Sequence, residues 1–243
     1  MQPGQFIIAF AVGVSTPSIQ CIAQPQQARS ETNNSPGKHA IVLYGGVAVP
    51  AGSFAASSDE NSSFALTGIA LGARFAASVM EDWEITGGIT CSYHRYDESA
   101  EEKVMRDSLT KYTVHAGGYF LTMFLAGVRY DILSTSHLTL FSKVQTGALI
   151  CSHPEIREDN ITPSGSGRRT ISAAIAISTA LDVGFEIVTN NGWLAGVSYI
   201  IGNPSFKHSV YEAHGTTPTA YFTKRNSQTV AIVQLQIGYS IDL

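Results

Sequence analysis

Between Thr229 and Leu243, the residues Ala231, Val233, Leu235, Ile237, Tyr239, Ile241 and Leu243 alternate with Ile232, Gln234, Gln236, Gly238, Ser240 and Asp242. A period of two puts the first set on one face of a strand and the second set on the other. One face is apolar throughout, and the segment exceeds the usual strand of about 5–6 residues. It therefore predicts a bilayer-crossing strand, which needs about 9–11 residues. The pattern recurs over 39–50, 63–79, 83–96, 112–132, 137–152, 171–188 and 193–202. The segment 63–79 sets Ala65, Ile69, Leu71, Phe75 and Val79 against Gly68, Gly72, Arg74 and Ser78. In 112–132, Val114, Phe120, Phe124, Val128 and Tyr130 oppose His115, Gly117, Gly127, Arg129 and Asp131. In 171–188, Ile175, Ile177, Leu181, Val183 and Phe185 oppose Ser172, Ser178, Asp182, Gly184 and Glu186.

The connections alternate in length. Glu81-Asp82, Ser134-Thr135-Ser136 and Asn190-Asn191-Gly192 are tight turns, whereas the others span about ten to over twenty residues. Short turns at one rim and long loops at the other characterise outer-membrane barrels. The predicted fold is all-β, an eight-stranded antiparallel up-and-down transmembrane β-barrel over 38–243. An even strand count puts both ends of the barrel at the short-turn rim, the periplasmic one.

Alternation alone does not say which face points outward, because a soluble ligand-binding barrel alternates with the signs reversed. Two features favour an apolar exterior. The opposite face is rich in Gly, Ala and Ser, as the narrow interior of eight strands requires. The ionised residues also lie on that face: Arg74, Glu84, Arg129, Asp131, Lys143, Asp182, Glu186 and Asp242. The one outward charge, Arg95, ends a strand beside a long loop, where a lipid-facing cation costs little; at mid-membrane it costs roughly 2–4 kcal/mol. Buried charges persist when partnered. The expected site is therefore a lumen charge network of Arg74, Glu84, Arg129, Asp131, Lys143, Asp182 and Glu186 that plugs the barrel. Phe75, Trp83, Tyr130, Phe185, Trp193 and Tyr239 fall near the short-turn ends, where an interfacial girdle belongs.

Composition narrows the class further. Charged residues make up 14% of the chain, against roughly 25% in soluble domains. A net charge of −4 disfavours nucleic acid, which needs a basic face. No apolar run reaches 18 residues, so no transmembrane helix is expected. Cys21, Cys91 and Cys151 form no CxxC pair or metal spacing, and Cys91 and Cys151 fall on non-adjacent strands, so neither disulfide nor metal is expected. Residues 1–23 carry no charge and contain the apolar run Phe6–Val14, which reads as a signal peptide cleaved after Ala23; 24–37 read as a disordered lead-in.

The eight long strands, Gly-Ala-Arg-Phe around Arg74, Ala-Gly-Val-Arg-Tyr around Arg129 and the closing Gly-Tyr-Ser-Ile-Asp-Leu resemble the small eight-stranded outer-membrane β-barrels of the OmpA/OmpX type over 39–243. The resemblance implies a Gram-negative outer-membrane location. Such barrels commonly end in an aromatic residue; this sequence ends in Leu243.

Chemistry is sparse. Ser92 and His94 share a face, His115 is expected to point inward from the next strand, and Glu84 could complete a nucleophile-and-base set. Spacing of two is common by chance, so no catalytic residue and no cofactor is expected. Gly165-Ser166-Gly167 precedes Arg168-Arg169 but opens no helix, so it does not read as a phosphate loop. The loops carry more signal: 97–111 is dense in charge (Asp97, Glu98, Glu101, Glu102, Lys103, Arg106, Asp107), 153–170 holds His153, Arg157, Arg168 and Arg169, and 203–226 is rich in Tyr and Phe. The expectation is a monomeric, non-enzymatic barrel with a structural or surface-interaction role. Its partners are membrane lipid, lipopolysaccharide and a ligand at the loops. A small porin or transporter for small or apolar solutes is the alternative, and a soluble periplasmic ligand-binding barrel the third.

Overall fold

The computed structural model describes residues 39–57, 62–105, 111–162, 165–214 and 217–243. The expected signal peptide and lead-in lie outside the described residues, as do Arg106 and Asp107. In chain order the elements are β1 (His39–Ala51), a 3₁₀ turn (Gly52–Phe54), β2 (Gly68–Met80), β3 (Trp83–Arg95), α1 (Glu98–Met105), β4 (Lys111–Ala116), β5 (Gly118–Ser134), β6 (Leu138–His153), β7 (Ile156–Thr162), β8 (Gly165–Ile171), β9 (Ala174–Thr189), β10 (Trp193–Gly202), β11 (Ser205–His214), β12 (Thr217–Ser227) and β13 (Val230–Asp242).

Eight strands close into an antiparallel barrel in the order β1-β13-β10-β9-β6-β5-β3-β2. Barrel strands that follow one another in sequence are neighbours, so the topology is up-and-down. Closure is made by β1 and β13, in register from Ala40↔Asp242 to Ala51↔Ala231, which removes the open edges that a flat sheet would expose. Three tight connections join strands at one rim. Gly192 adopts φ 83 in the turn before β10, a left-handed conformation that suits glycine. Thr135 Oγ1 accepts from the amides of His137 and Leu138 in the turn before β6.

The apolar face points outward on every strand. Ile69, Leu71, Ile177, Trp193 and Ile237 are among its most exposed members. Arg95, at the far end of β3, is the one charge on the outward positions of the eight strands. Tyr and Trp mark the belt's limits: Trp83 packs on Tyr130 and Trp193 on Tyr239 near the turn rim, and Tyr93 pairs with Phe120 near the other. Trp83 and Tyr93 lie ten positions apart on β3, about 33 Å along a strand and about 25 Å in height at a tilt near 40°. That matches the apolar band of a membrane barrel, about 25 Å tall.

At the opposite rim the expected loops are replaced by a sheet. Its order, β12-β11-β8-β7-β4, repeats that of β13-β10-β9-β6-β5 because each of its strands continues a barrel strand past a short break. The breaks fall at 117, 154–155, 172–173, 203–204 and 228–229. Two of them carry a proline, Pro154 and Pro204, which cannot donate to a ladder. A wall thus rises from five of the eight barrel strands. Above β1, β2 and β3 the chain instead forms the 3₁₀ turn, the 62–67 connection and α1.

This sheet corrects three expectations. Residues 112–116 belong to β4, not to a barrel strand, so His115 is exposed rather than turned into the lumen. Val114 is buried against the rim core instead of facing lipid. Ala65, assigned to the second strand's outer face, lies beyond the loop-side end of β2 in an isolated bridge to Tyr96 and is buried.

Candidate functional site

The lumen has two layers. Toward the turn rim, Glu186 on β9 is the hub of a buried ionic cluster. Arg74 on β2 donates to both of its oxygens, Nη1 to Oε1 at 2.6 Å and Nη2 to Oε2 at 2.5 Å, the two-pronged geometry that suits guanidinium to carboxylate. Lys143 Nζ lies 3.2 Å from Glu186 and 3.0 Å from Asp182. Arg129 reaches Glu186 at 3.4 Å and pairs with Glu84, its Nε donating at 2.7 Å. Gln236 Nε2 donates to Glu186 at 2.8 Å, and the Arg129 guanidinium lies 3.9 Å from the centre of the Phe141 ring. Six of the seven expected lumen residues are thus joined through salt bridges. Asp131 is buried on β5 two positions from Arg129. Small neighbours make the room: a Cβ on Gly196 would lie 2.8 Å from Gln236 Nε2, and one on Gly72 would lie 2.4 Å from the Tyr44 ring.

Toward the sheet rim the lumen is mainly apolar, with Thr90, Ser92 and His94 buried among the larger side chains. Leu121, Met123, Leu125, Leu149, Ile200 and Ile232 are buried there, together with Cys151. Phe54 of the 3₁₀ turn inserts from above, wholly buried, against His94 at 5.4 Å and Tyr119 at 5.1 Å. Sequence reasoning expected small and polar lumen residues and missed this plug. Its signal lies in β5, where Tyr119 to Leu125 (YFLTMFL) barely alternates; a run apolar at both parities means both faces of the strand meet apolar surroundings.

The nucleophile-and-base set is not assembled. His94 Nδ1 lies 3.1 Å from the Leu66 carbonyl oxygen. Glu84 sits ten positions down the same strand beside Arg129, about 33 Å away. His115 is exposed on β4. Cys91 and Cys151 are free thiols. Among the described residues, no group of three His, Cys, Asp or Glu side chains could hold a metal.

Above the plug, the concave side of the wall, α1 and the 62–64 segment enclose a cavity of about 350 Å³. Asp97 starts α1 by accepting from the Ala100 amide at 3.0 Å, an N-cap bond. Glu98 and Glu102, one turn apart on the helix, accept from the amides of Ala116 (2.7 Å) and Val114 (2.9 Å), covering the free edge of β4. Glu101 projects into the cavity instead and is buried. Burial pushes its carboxyl up to about 7, partly offset by the neighbouring Tyr96 hydroxyl. Phe64, Tyr96, Tyr119, His153 and His208 are the rings that line it, with His153 and His208 at 4.5 Å between centroids. Phe64 holds φ 50, unusual for a bulky residue and costly enough to need support from its surroundings. Glu101 was legible in sequence only as one charge in a dense run. The rings reach the cavity from five separate segments, which no local pattern reveals.

The basic residues of the 153–170 segment are engaged within the wall. Arg168 donates to Asp159 at 2.7 Å, Arg157 lies 3.2 Å from Asp159, and Arg169 lies 3.3 Å from Glu158 and 3.7 Å from Glu212.

No family model and no curated protein matches the sequence. Among solved structures, the chain is similar to Ail, the attachment invasion locus protein of Yersinia pestis (14% identity, 85% of this chain and 100% of that one, TM-score 0.39). It is also similar to the outer membrane protein OprG from Pseudomonas aeruginosa (10% identity, 86% and 98%, TM-score 0.46). A third is the outer membrane protein AlkL, solved by solid-state NMR in DMPC lipid bilayers (14% identity, 90% and 97%, TM-score 0.37).

Proposed function

We propose that this protein is a monomeric outer-membrane barrel with a closed lumen, whose activity is surface interaction through the sheet and cavity at its loop-side rim. Location follows from the outward belt. Dozens of large apolar side chains exposed all around a barrel would drive aggregation in water, and a bilayer satisfies them. The tight-turn rim faces the periplasm and the wall faces outside. The closed lumen is the observation that carries the reading. The ionic cluster occupies one half and Phe54, Leu121, Met123 and Leu149, none more than 1% exposed, fill the other. A solute crossing the lumen would have to displace both layers, which disfavours the porin reading.

The charge cluster's role in this reading is structural: it fixes strand register around Glu186 and plugs the periplasmic half. Contact with lipopolysaccharide phosphates draws little support from Arg157, Arg168 and Arg169, whose charges are already met by Asp159, Glu158 and Glu212. Surface binding therefore centres on the cavity. Planar-bilayer recording tests the proposal. Purified protein is expected to show no reproducible single-channel current, whereas Phe54→Ala, which removes the plug's uppermost ring, is the variant in which leak should first appear. Steady unitary currents from the wild-type protein would overturn the closed-lumen reading.

A further inference from the structure

We infer that the cavity between α1 and the wall is a binding site for a small organic ammonium ion, in particular an aryl-alkylamine, held by the Glu101 carboxylate and the Phe64, Tyr96 and Tyr119 rings. This rests on the reading of the rim as an interaction surface and is independent of whether the lumen conducts.

Three observations converge. First, two acceptors inside the cavity are unpartnered: Glu101 Oε2 and Gln228 Oε1, on side chains more than nine-tenths buried. A buried acceptor without a donor costs about 1–3 kcal/mol, more when charged, so a ligand supplying N–H donors recovers that cost. Gln228 is held in place by its own amide nitrogen, which donates to Ser63 Oγ.

Second, Glu101 has no salt bridge among the described residues, and Arg169 reaches it only through its field. The other cavity carboxylate, Glu158, is met by Arg169, and Arg169 is also drawn toward Glu212. Lys224 is exposed on β12 and forms no salt bridge with Glu101 among the described residues. Glu101 therefore calls for a cation from outside.

Third, the walls are aromatic. Phe64 and Tyr96 lie 5.7 Å apart, and Tyr96 and Tyr119 6.2 Å. Ring faces attract ammonium through their quadrupole and stack on an aryl group. About 350 Å³ admits a ligand of this size.

The experiment is isothermal titration calorimetry on detergent-folded full-length protein with three probes that share a phenylethyl body: 2-phenylethylammonium, the neutral 2-phenylethanol and the anionic 3-phenylpropanoate. The ammonium is expected to bind with a dissociation constant below about 1 mM, at least about tenfold tighter than the alcohol, with no detectable binding of the carboxylate. Glu101→Gln keeps the shape and removes the charge, and should cost the ammonium about tenfold or more while leaving the alcohol unchanged.

Binding should tighten between pH 6 and pH 8 as Glu101 ionises, since the probe stays cationic throughout. Glu158, Arg169, Tyr96, His153, His208 and Lys224 face the same space. The pH dependence must therefore vanish in Glu101→Gln if it belongs to Glu101 and not to the histidines. Equal binding of all three probes, preference for the carboxylate, no binding of the ammonium, or full affinity in Glu101→Gln would each overturn the inference. None of these results bears on the bilayer recordings, so the two readings fail separately.

Discussion

Replacing Glu186 by glutamine removes one charge and keeps the volume, and its cost can be worked from the geometry. Glu186 carries both hydrogen bonds of Arg74 at 2.5–2.6 Å and lies within 3.2 and 3.4 Å of Lys143 and Arg129. Asp182 remains for Lys143 and Glu84 for Arg129, but Arg74 is left buried with the Tyr44 ring at 5.9 Å. At an effective dielectric constant near 20, one ion pair at about 4 Å between charge centres is worth about 4 kcal/mol. Stranding a buried charge typically costs about 3–5 kcal/mol. Glu186→Gln should therefore lower unfolding stability by about 3–5 kcal/mol, read as a fall in urea midpoint with unchanged slope for protein folded in lipid vesicles. Replacing Arg74 and Glu186 together by methionine should cost clearly less than Glu186→Gln alone, because no charge is stranded. A loss below about 1 kcal/mol, or a double variant worse than the single, would refute the hub assignment.

Further outcomes follow from other parts of the molecule. Leu181 faces outward at mid-strand on β9, so Leu181→Arg should destabilise by about 2–4 kcal/mol in bilayers, measured in the same titration. Removing the edge cover with Glu98→Ala and Glu102→Ala should raise amide exchange at Val114 and Ala116 by about tenfold or more, roughly 1.5 kcal/mol per bond, while barrel amides stay protected. Glu101's folded pKa, about 7, lies above its ordinary 4.5, so its contribution to stability is fully present below about pH 4.5 and lost as pH rises to about 7. Without ligand, α1 exchange corrected for intrinsic rate should accelerate between pH 5 and pH 8, by an amount equivalent to about 2–3 kcal/mol, and Glu101→Gln should abolish the change.

The barrel was legible because strands of 10–17 residues exposed to two different media carry a strong period-two signal; all eight are present, although those predicted over 63–79 and 112–132 begin only at Gly68 and Gly118. The wall was not. The strands β7 and β8 are only seven residues each, and their polar content (IREDNIT, GSGRRTI) reads locally as loop. Their strandedness comes from continuing a ladder already set by the barrel, a tertiary cause that local propensity does not encode. His115 shows the same effect, since the single break at Gly117 moves it from one sheet to another. The charge residues could be gathered from sequence because inward positions are few, but their hub could not: Glu186 sits opposite Arg74 across the lumen, 112 positions away in the chain. The cavity was invisible for the same reason, with Phe64, Glu101, Tyr119 and Gln228 meeting only once the rim has folded.

The central claim is that the apolar face of every barrel strand meets lipid. Its most direct measurement is spin labelling at Leu71, Val144, Leu181 and Ile237 in reconstituted bilayers, one label at a time, with the native cysteines replaced by alanine. The account predicts that collisions with dissolved oxygen greatly exceed those with a water-soluble nickel chelate at all four positions. Ready access of the chelate to these labels would contradict it.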